Sequence, residues 1–189
     1  MPLSLDGFDA RPGDPVPPAA HAATMRRMDG TDVMAIPAGL LAAGVESGEY
    51  VPVLRAAELP RGAMRRFTLG DADLLILNSE RGLAAIDDRC PHMAAPLSLG
   101  ALEGCVVACP LHSGRFDVST GGVVQFPTTG GLDADGAYHP PWISPGAAPK
   151  PEPTDLKARA RAATRVRRLR YYPLRVRDGM IEVRLPVGG

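Results

Sequence analysis

Cysteine is scarce in this chain: three residues in 189, too few and too unevenly placed for a disulfide framework. A reducing, cytoplasmic setting is the resulting expectation. Net charge is also lacking, because 21 Lys and Arg balance 21 Asp and Glu. The overall basic excess that favours nucleic-acid binding is therefore absent. No apolar run is long enough to span a bilayer; the most apolar early stretch, Val33 to Val45, is broken by Pro37. The first residues carry Asp6 and Asp9 where a secretory leader would be basic, and no apolar core follows them. Neither a membrane nor nucleic acid is expected as a partner.

The neutral total conceals an asymmetry. Residues 156–189 hold ten Lys and Arg against two acids, and residues 1–155 hold eleven against nineteen. A local electrostatic docking face is compatible with that split. The chain begins with a Pro/Gly/Ala-rich run around Arg11 to Pro18 that has no hydrophobic period, which predicts disorder. Residues 33–45 read as a short helix or strand lying against something else.

From Tyr50 onward, short apolar runs alternate with turn residues. Tyr50–Leu54, Met64–Leu69, Asp73–Asn78 and Gly82–Asp87 follow closely, then Gly104–Ala108 and Arg115–Val118. Strands at this spacing predict an antiparallel sandwich or barrel. Leu169–Val176 and Met180–Leu185, with a turn at Arg177-Asp178-Gly179, predict a closing hairpin. Residues 128–153 are crowded with Gly and Pro and hold the only tryptophan, Trp142. Thr154 reads as an N-cap, with Asp155 in the first turn, for a short basic helix through Ala163.

The residues that carry chemistry are Cys90-Pro91-His92 and Cys109-Pro110-Leu111-His112. Each half offers one thiolate and one imidazole from a Pro-stiffened turn. Two such turns can point four ligands into one small site, so that one iron takes both thiolates and a second takes both imidazoles. A tetrahedral zinc ion is the competing reading. Zinc modules usually pair Cys with Cys and His with His in each half, whereas here each half is mixed. Cys105 sits in an apolar strand and reads as a core thiol. His21 falls in the leader, and His139 beside Pro140-Pro141-Trp142 reads as a loop anchor. The basic run from Lys157 to Arg170 reads as a solvated face, with partner docking as the alternative.

Asp87-Asp88-Arg89-Cys90-Pro91-His92, Ala95-Pro96-Leu97-Ser98-Leu99-Gly100 and Cys109 through Asp117 together resemble the Rieske ferredoxins. The resemblance covers 47–127 and about 167–187. It implies an all-β fold, a Rieske-type antiparallel β-sandwich with a cluster-binding subdomain. It also implies one [2Fe-2S] cluster on Cys90, His92, Cys109 and His112, with no catalytic residues. The corresponding organisation is a largely disordered leader over 1–46, a Rieske domain over 47–127 and 165–187, and an insertion over 128–164. That insertion, a loop ending in the basic helix, is expected to serve partner recognition rather than to hold the cluster.

The family resemblance implies a one-electron carrier between a ferredoxin reductase and a terminal oxygenase, with electrons crossing at exposed edges of His92 and His112. An alternative is a cluster-bearing small subunit of a nitrite-reductase-like or other oxidoreductase complex. An oxygenase catalytic subunit would need two further His and a carboxylate on a large extra domain, and only His21 and His139 remain. Respiratory-type relatives carry a disulfide between cysteines that match Ala95 and Leu111 here, so that bridge is excluded. They also place Ser and Tyr where this chain has Gly114 and Phe116. Without those hydroxyls, a potential at the low end of the Rieske range is expected.

Overall fold

A computed structural model describes residues 26–28, 31–146, 155–156, 159–160 and 163–186. The organising element is the strand Ala72–Ser79, in which Leu74, Leu75, Ile76 and Leu77 are all fully buried. Successive side chains on a strand point to opposite faces, so an unbroken apolar run needs cover on both sides. Leu75 and Leu77 pack with Leu97, Val107, Phe116 and Val118. Leu74 and Ile76 pack on the opposite face with Leu54, Val176, Ile181 and Val183.

Ala72–Ser79 pairs antiparallel with Met64–Leu69 on one edge and Gly82–Asp87 on the other. A three-stranded sheet, ordered Leu174–Arg177, Met180–Arg184, Tyr50–Arg55, contributes to the Leu74 face. A four-stranded sheet, ordered Val123–Gln125, Arg115–Asp117, Val106–Ala108, Ala101–Glu103, contributes to the Leu75 face. The expected all-β sandwich with a separate cluster-bearing subdomain is the fold. Among the described residues, no helix is long and apolar enough to cross a membrane.

Three expectations are refined in detail. The first arm of the closing hairpin is split. Tyr171-Tyr172 pairs with Ile86 and Ala85 in the central sheet, and the chain then passes through Pro173 to the three-stranded sheet. Proline has no N–H for a ladder, so it marks the crossing. The leader falls mostly outside the described residues, His21 included, and its last part, 33–45, lies against the fold as its reading as a short helix or strand anticipated. Val33 pairs in parallel with Leu83, and Ala42 and Val45 are buried against the second core group.

The third change concerns the insertion, whose first half is tied down. Gly131-Leu132 pairs with Tyr138-His139, the Leu132 N–H donates to Thr164 O at 2.9 Å, and Val166 N–H donates to Leu132 O at 2.7 Å. Gly131 has φ +140°, and a Cβ there would lie 2.5 Å from Thr164 O, so only glycine allows this approach. The proposed cap Thr154 lies outside the described residues. Beyond it, Arg159 N–H donates to Asp155 O and Ala163 N–H to Arg159 O, the bonding of a helical turn.

Candidate metal centre

The two Cys-His loops are built alike. Cys90 N–H donates to Ala95 O at 2.8 Å, and Cys109 N–H donates to Gly114 O at 2.8 Å. Each loop therefore closes five residues after its cysteine. In each, the fourth residue after the cysteine takes a positive φ: Ala94 at 55° and Ser113 at 56°. A left-handed residue of that kind lets a short loop reverse direction. The first loop follows Gly82–Asp87, and the second joins Val106–Ala108 to Arg115–Asp117.

These loops bring all four sequence-predicted ligands together. Cys90, Cys109 and His92 are buried and His112 is half-buried. The Cys109 thiol lies within hydrogen-bond reach of Cys90. The His92 and His112 rings meet edge to face with centroids 5.0 Å apart. Burial pushes the Cys90 thiol up to about 12 and Cys109 adds to the rise, while backbone N–H groups of His92 and Met93 aimed at the sulfur oppose it. Burial also lowers the pKa of His92, and the neighbouring His112 lowers it further, both favouring the neutral ring, the form that binds metal.

The donor set fits a two-iron, two-sulfide cluster. It comprises one pair of thiols and one pair of rings, and the backbone N–H groups already directed at sulfur would suit a bound thiolate. Among the described residues, no group of three or more His, Cys, Asp or Glu is gathered where a single metal ion would sit.

Supports around the loops include residues that spacing did not single out. Asp88 is buried and accepts from Ser98 N–H at 2.7 Å and Ser98 Oγ at 2.6 Å, with Arg66 Nε at 3.4 Å. This anchors the start of the first loop. Thr128 N–H donates to His112 O at 2.9 Å, and Thr129 Oγ1 lies 3.2 Å from His92 Nε2. The His92 edge is thus covered by the insertion, which corrects the expectation that both imidazole edges are exposed. His139 stacks on Phe126 at 3.6 Å and pairs with Asp133 at 3.1 Å, as a loop anchor would. Cys105 packs against the core, and all three cysteines are free thiols.

Comparison with known proteins extends this geometry. The Rieske [2Fe-2S] domain matches residues 49–135. Over 81 residues the chain is 37% identical to the ferredoxin component of the naphthalene 1,2-dioxygenase system of Pseudomonas aeruginosa, covering 43% of this chain and 78% of that protein. It is 36% identical over 83 residues to the ferredoxin component of the 2,4-dinitrotoluene dioxygenase system of Burkholderia sp. (strain RASC), covering 44% and 80%. A chain from the complex of reduced oxygenase and oxidized ferredoxin in carbazole 1,9a-dioxygenase is 25% identical, with 70% of this chain and 99% of that one covered and a TM-score of 0.46. The chain belongs to the Rieske [2Fe-2S] ferredoxin family, and its cofactor is a Rieske-type [2Fe-2S] cluster.

Proposed function

We propose that Cys90 and Cys109 bind one iron of the cluster, that His92 and His112 bind the other, and that the chain carries single electrons to a terminal oxygenase. The carrying observation is the matched pair of loops, each closed by a cysteine N–H and each delivering one thiol and one imidazole to the same site. When bound, the cluster supplies a one-electron couple whose potential is raised by having two neutral imidazoles in place of two thiolates. The residues hold the ligands, exclude water from the thiols and leave the half-buried His112 as the more accessible edge. Named relatives are ferredoxin components of dioxygenase systems, which supports an oxygenase as acceptor; the donor in this reading is a ferredoxin reductase. In this reading 47–127 and 165–187 form the carrier, 128–164 shapes its cluster face, and the protein works in the cytoplasm.

The test is isolation of the full chain from its native cell under anaerobic conditions. Two iron and two labile sulfide per chain are expected, with a Rieske-type EPR signal on reduction. That signal should be lost in Cys90→Ser and His112→Ala. Stoichiometric zinc without labile sulfide overturns the cluster assignment. Stable co-isolation with a sirohaem-type subunit overturns the oxygenase assignment.

A further inference from the structure

A groove of about 900 Å³ runs along the outer side of the first cluster loop, lined by Cys90 to Ala94 on one wall and Thr164 to Arg170 on another. The second wall is fixed to the first, because Arg167 N–H donates to Pro91 O at 3.2 Å. Leu169 is buried and pins that arm to the core. The odd result is what the arm presents. Arg165, Arg167, Arg168 and Arg170 all line the groove, joined by Arg89 from the opposite side.

The groove also holds three aspartates against these five arginines, and among the described residues only Asp73 is ion-paired. Asp73 faces Arg66 at 2.8 Å and Arg89 at 3.6 Å, and Asp87 accepts from the Tyr172 hydroxyl at 2.6 Å. Asp71 also lines the groove. Arg167, Arg168 and Arg170 are exposed and have no ion pair among the described residues. Five arginines against three aspartates leave this concave surface net positive, and the guanidinium groups without an ion pair gain most from carboxylates, which they can grip in bidentate fashion.

We propose that this groove is the docking site for a carboxylate-rich segment of the protein that exchanges electrons with this carrier. The inference rests on the electron-carrier reading and adds the chemistry of the partner's contact. Placement supports it: a segment in the groove touches the Cys90–Ala94 loop, so docking brings the partner directly to the metal centre. A nucleic acid is the less suitable polyanion, because residues 1–155 carry an excess of eight acids and offer no extended basic face.

The test uses the full-length holoprotein with a fluorescent twelve-residue glutamate peptide as probe. Binding is expected at low salt and is expected to fall steeply as salt rises. The triple change Arg167→Glu, Arg168→Glu, Arg170→Glu should weaken it at least tenfold. A control with the same net charge, Arg55→Glu, Arg81→Glu, Arg177→Glu, lies outside the groove and should change it less than threefold. Cluster absorbance is monitored in each variant, so loss of the cluster is read separately from loss of docking. If the triple reversal does not fold, the Arg→Gln versions should still weaken binding at least threefold. Equal weakening by both sets means diffuse charge and overturns the proposal. Tighter binding of a twelve-residue oligothymidine, or full competition by inorganic phosphate at micromolar concentration, also overturns it. Absence of a cluster with groove-dependent peptide binding intact would reject the carrier reading and leave the groove assignment standing.

Discussion

The Thr129 hydroxyl lies 3.2 Å from Nε2 of His92, joining the first residues of the insertion to a proposed ligand in the first cluster loop. With Nε2 turned to Thr129, Nδ1 is the ring nitrogen that would hold the metal. A neutral ring bound through Nδ1 carries its proton on Nε2, so Nε2–H donates and the threonine oxygen accepts. That bond pushes electron density onto the ring and favours the oxidised centre. Thr129→Val should therefore raise the reduction potential by some tens of millivolts, corresponding to a bond worth about 1 kcal/mol or less. Thr129→Ser should leave the potential near its starting value. Protein-film voltammetry of the three proteins decides the point; an unchanged or lower potential in the valine variant contradicts the assigned bond.

The low potential expected from Gly114 and Phe116 can now be tested with the surroundings in view. Phe116 is fully buried in the core beneath the loops, and Phe116→Tyr should raise the potential by some tens of millivolts if its hydroxyl reaches a cluster-side sulfur. Gly114 is tighter. A Cβ there would sit 3.2 Å from Pro127 and 3.3 Å from the Phe116 ring. Gly114→Ser should raise the potential too, but with a stability loss of about 1 kcal/mol from crowding. A potential that does not move in either variant, with the cluster intact, removes hydroxyl loss as the reason for a low value.

Asp88 gives a stability prediction. Its carboxylate is buried, accepts two bonds from Ser98 and faces Arg66. Asp88→Ala leaves the Ser98 N–H and hydroxyl without their acceptor and should cost about 2–4 kcal/mol. Asp88→Asn keeps one acceptor and should cost less. Denaturant unfolding of both variants measures this. An alanine variant as stable as the parent would mean that water replaces the carboxylate and that the first loop does not depend on it.

The two Cys-His turns that supply the proposed ligands were legible in the sequence because residue type and short spacing define them; no distant contact is needed to see them. The strands Met64–Leu69 and Gly82–Asp87 were legible for the same reason, since apolar runs bounded by turn residues are local. What escaped depends on long-range pairing. Nothing near Val33 shows that it will lie parallel to Leu83, and nothing near Thr129 shows that it will meet His92. The doubled role of the Leu169–Val176 arm escaped because Tyr171 and Val176 read as one apolar run, although Pro173 sends them to different sheets. The anchoring of the insertion escaped for a related reason: Gly-rich composition does not show that Gly131 permits a close backbone approach to Thr164.

That last point yields a prediction opposite to the one composition suggests. If 128–164 only recognised a partner, replacing 129–163 with a short Gly/Ser linker would leave stability and cluster unchanged. The replacement removes Thr129 from His92 and deletes Leu132, whose carbonyl accepts the N–H of buried Val166. It also strips His139 from the face of Phe126, just before the Pro127 that packs near Gly114. An unsatisfied buried N–H costs about 1–3 kcal/mol by itself, and lost packing around Val166 adds to it. The shortened protein should melt several degrees lower and lose its cluster faster under a chelator such as EDTA. Gly131→Ala probes the same contact without deletion. Its Cβ would fall 2.5 Å from Thr164 O at a φ of +140°, so the Gly131-Leu132 pairing must shift, and a loss of about 1–3 kcal/mol is expected. Thermal melts and chelator kinetics on both proteins give the answer. If both match the parent, the first half of the insertion is an appendage after all, and its contacts with the metal centre carry no stabilising energy.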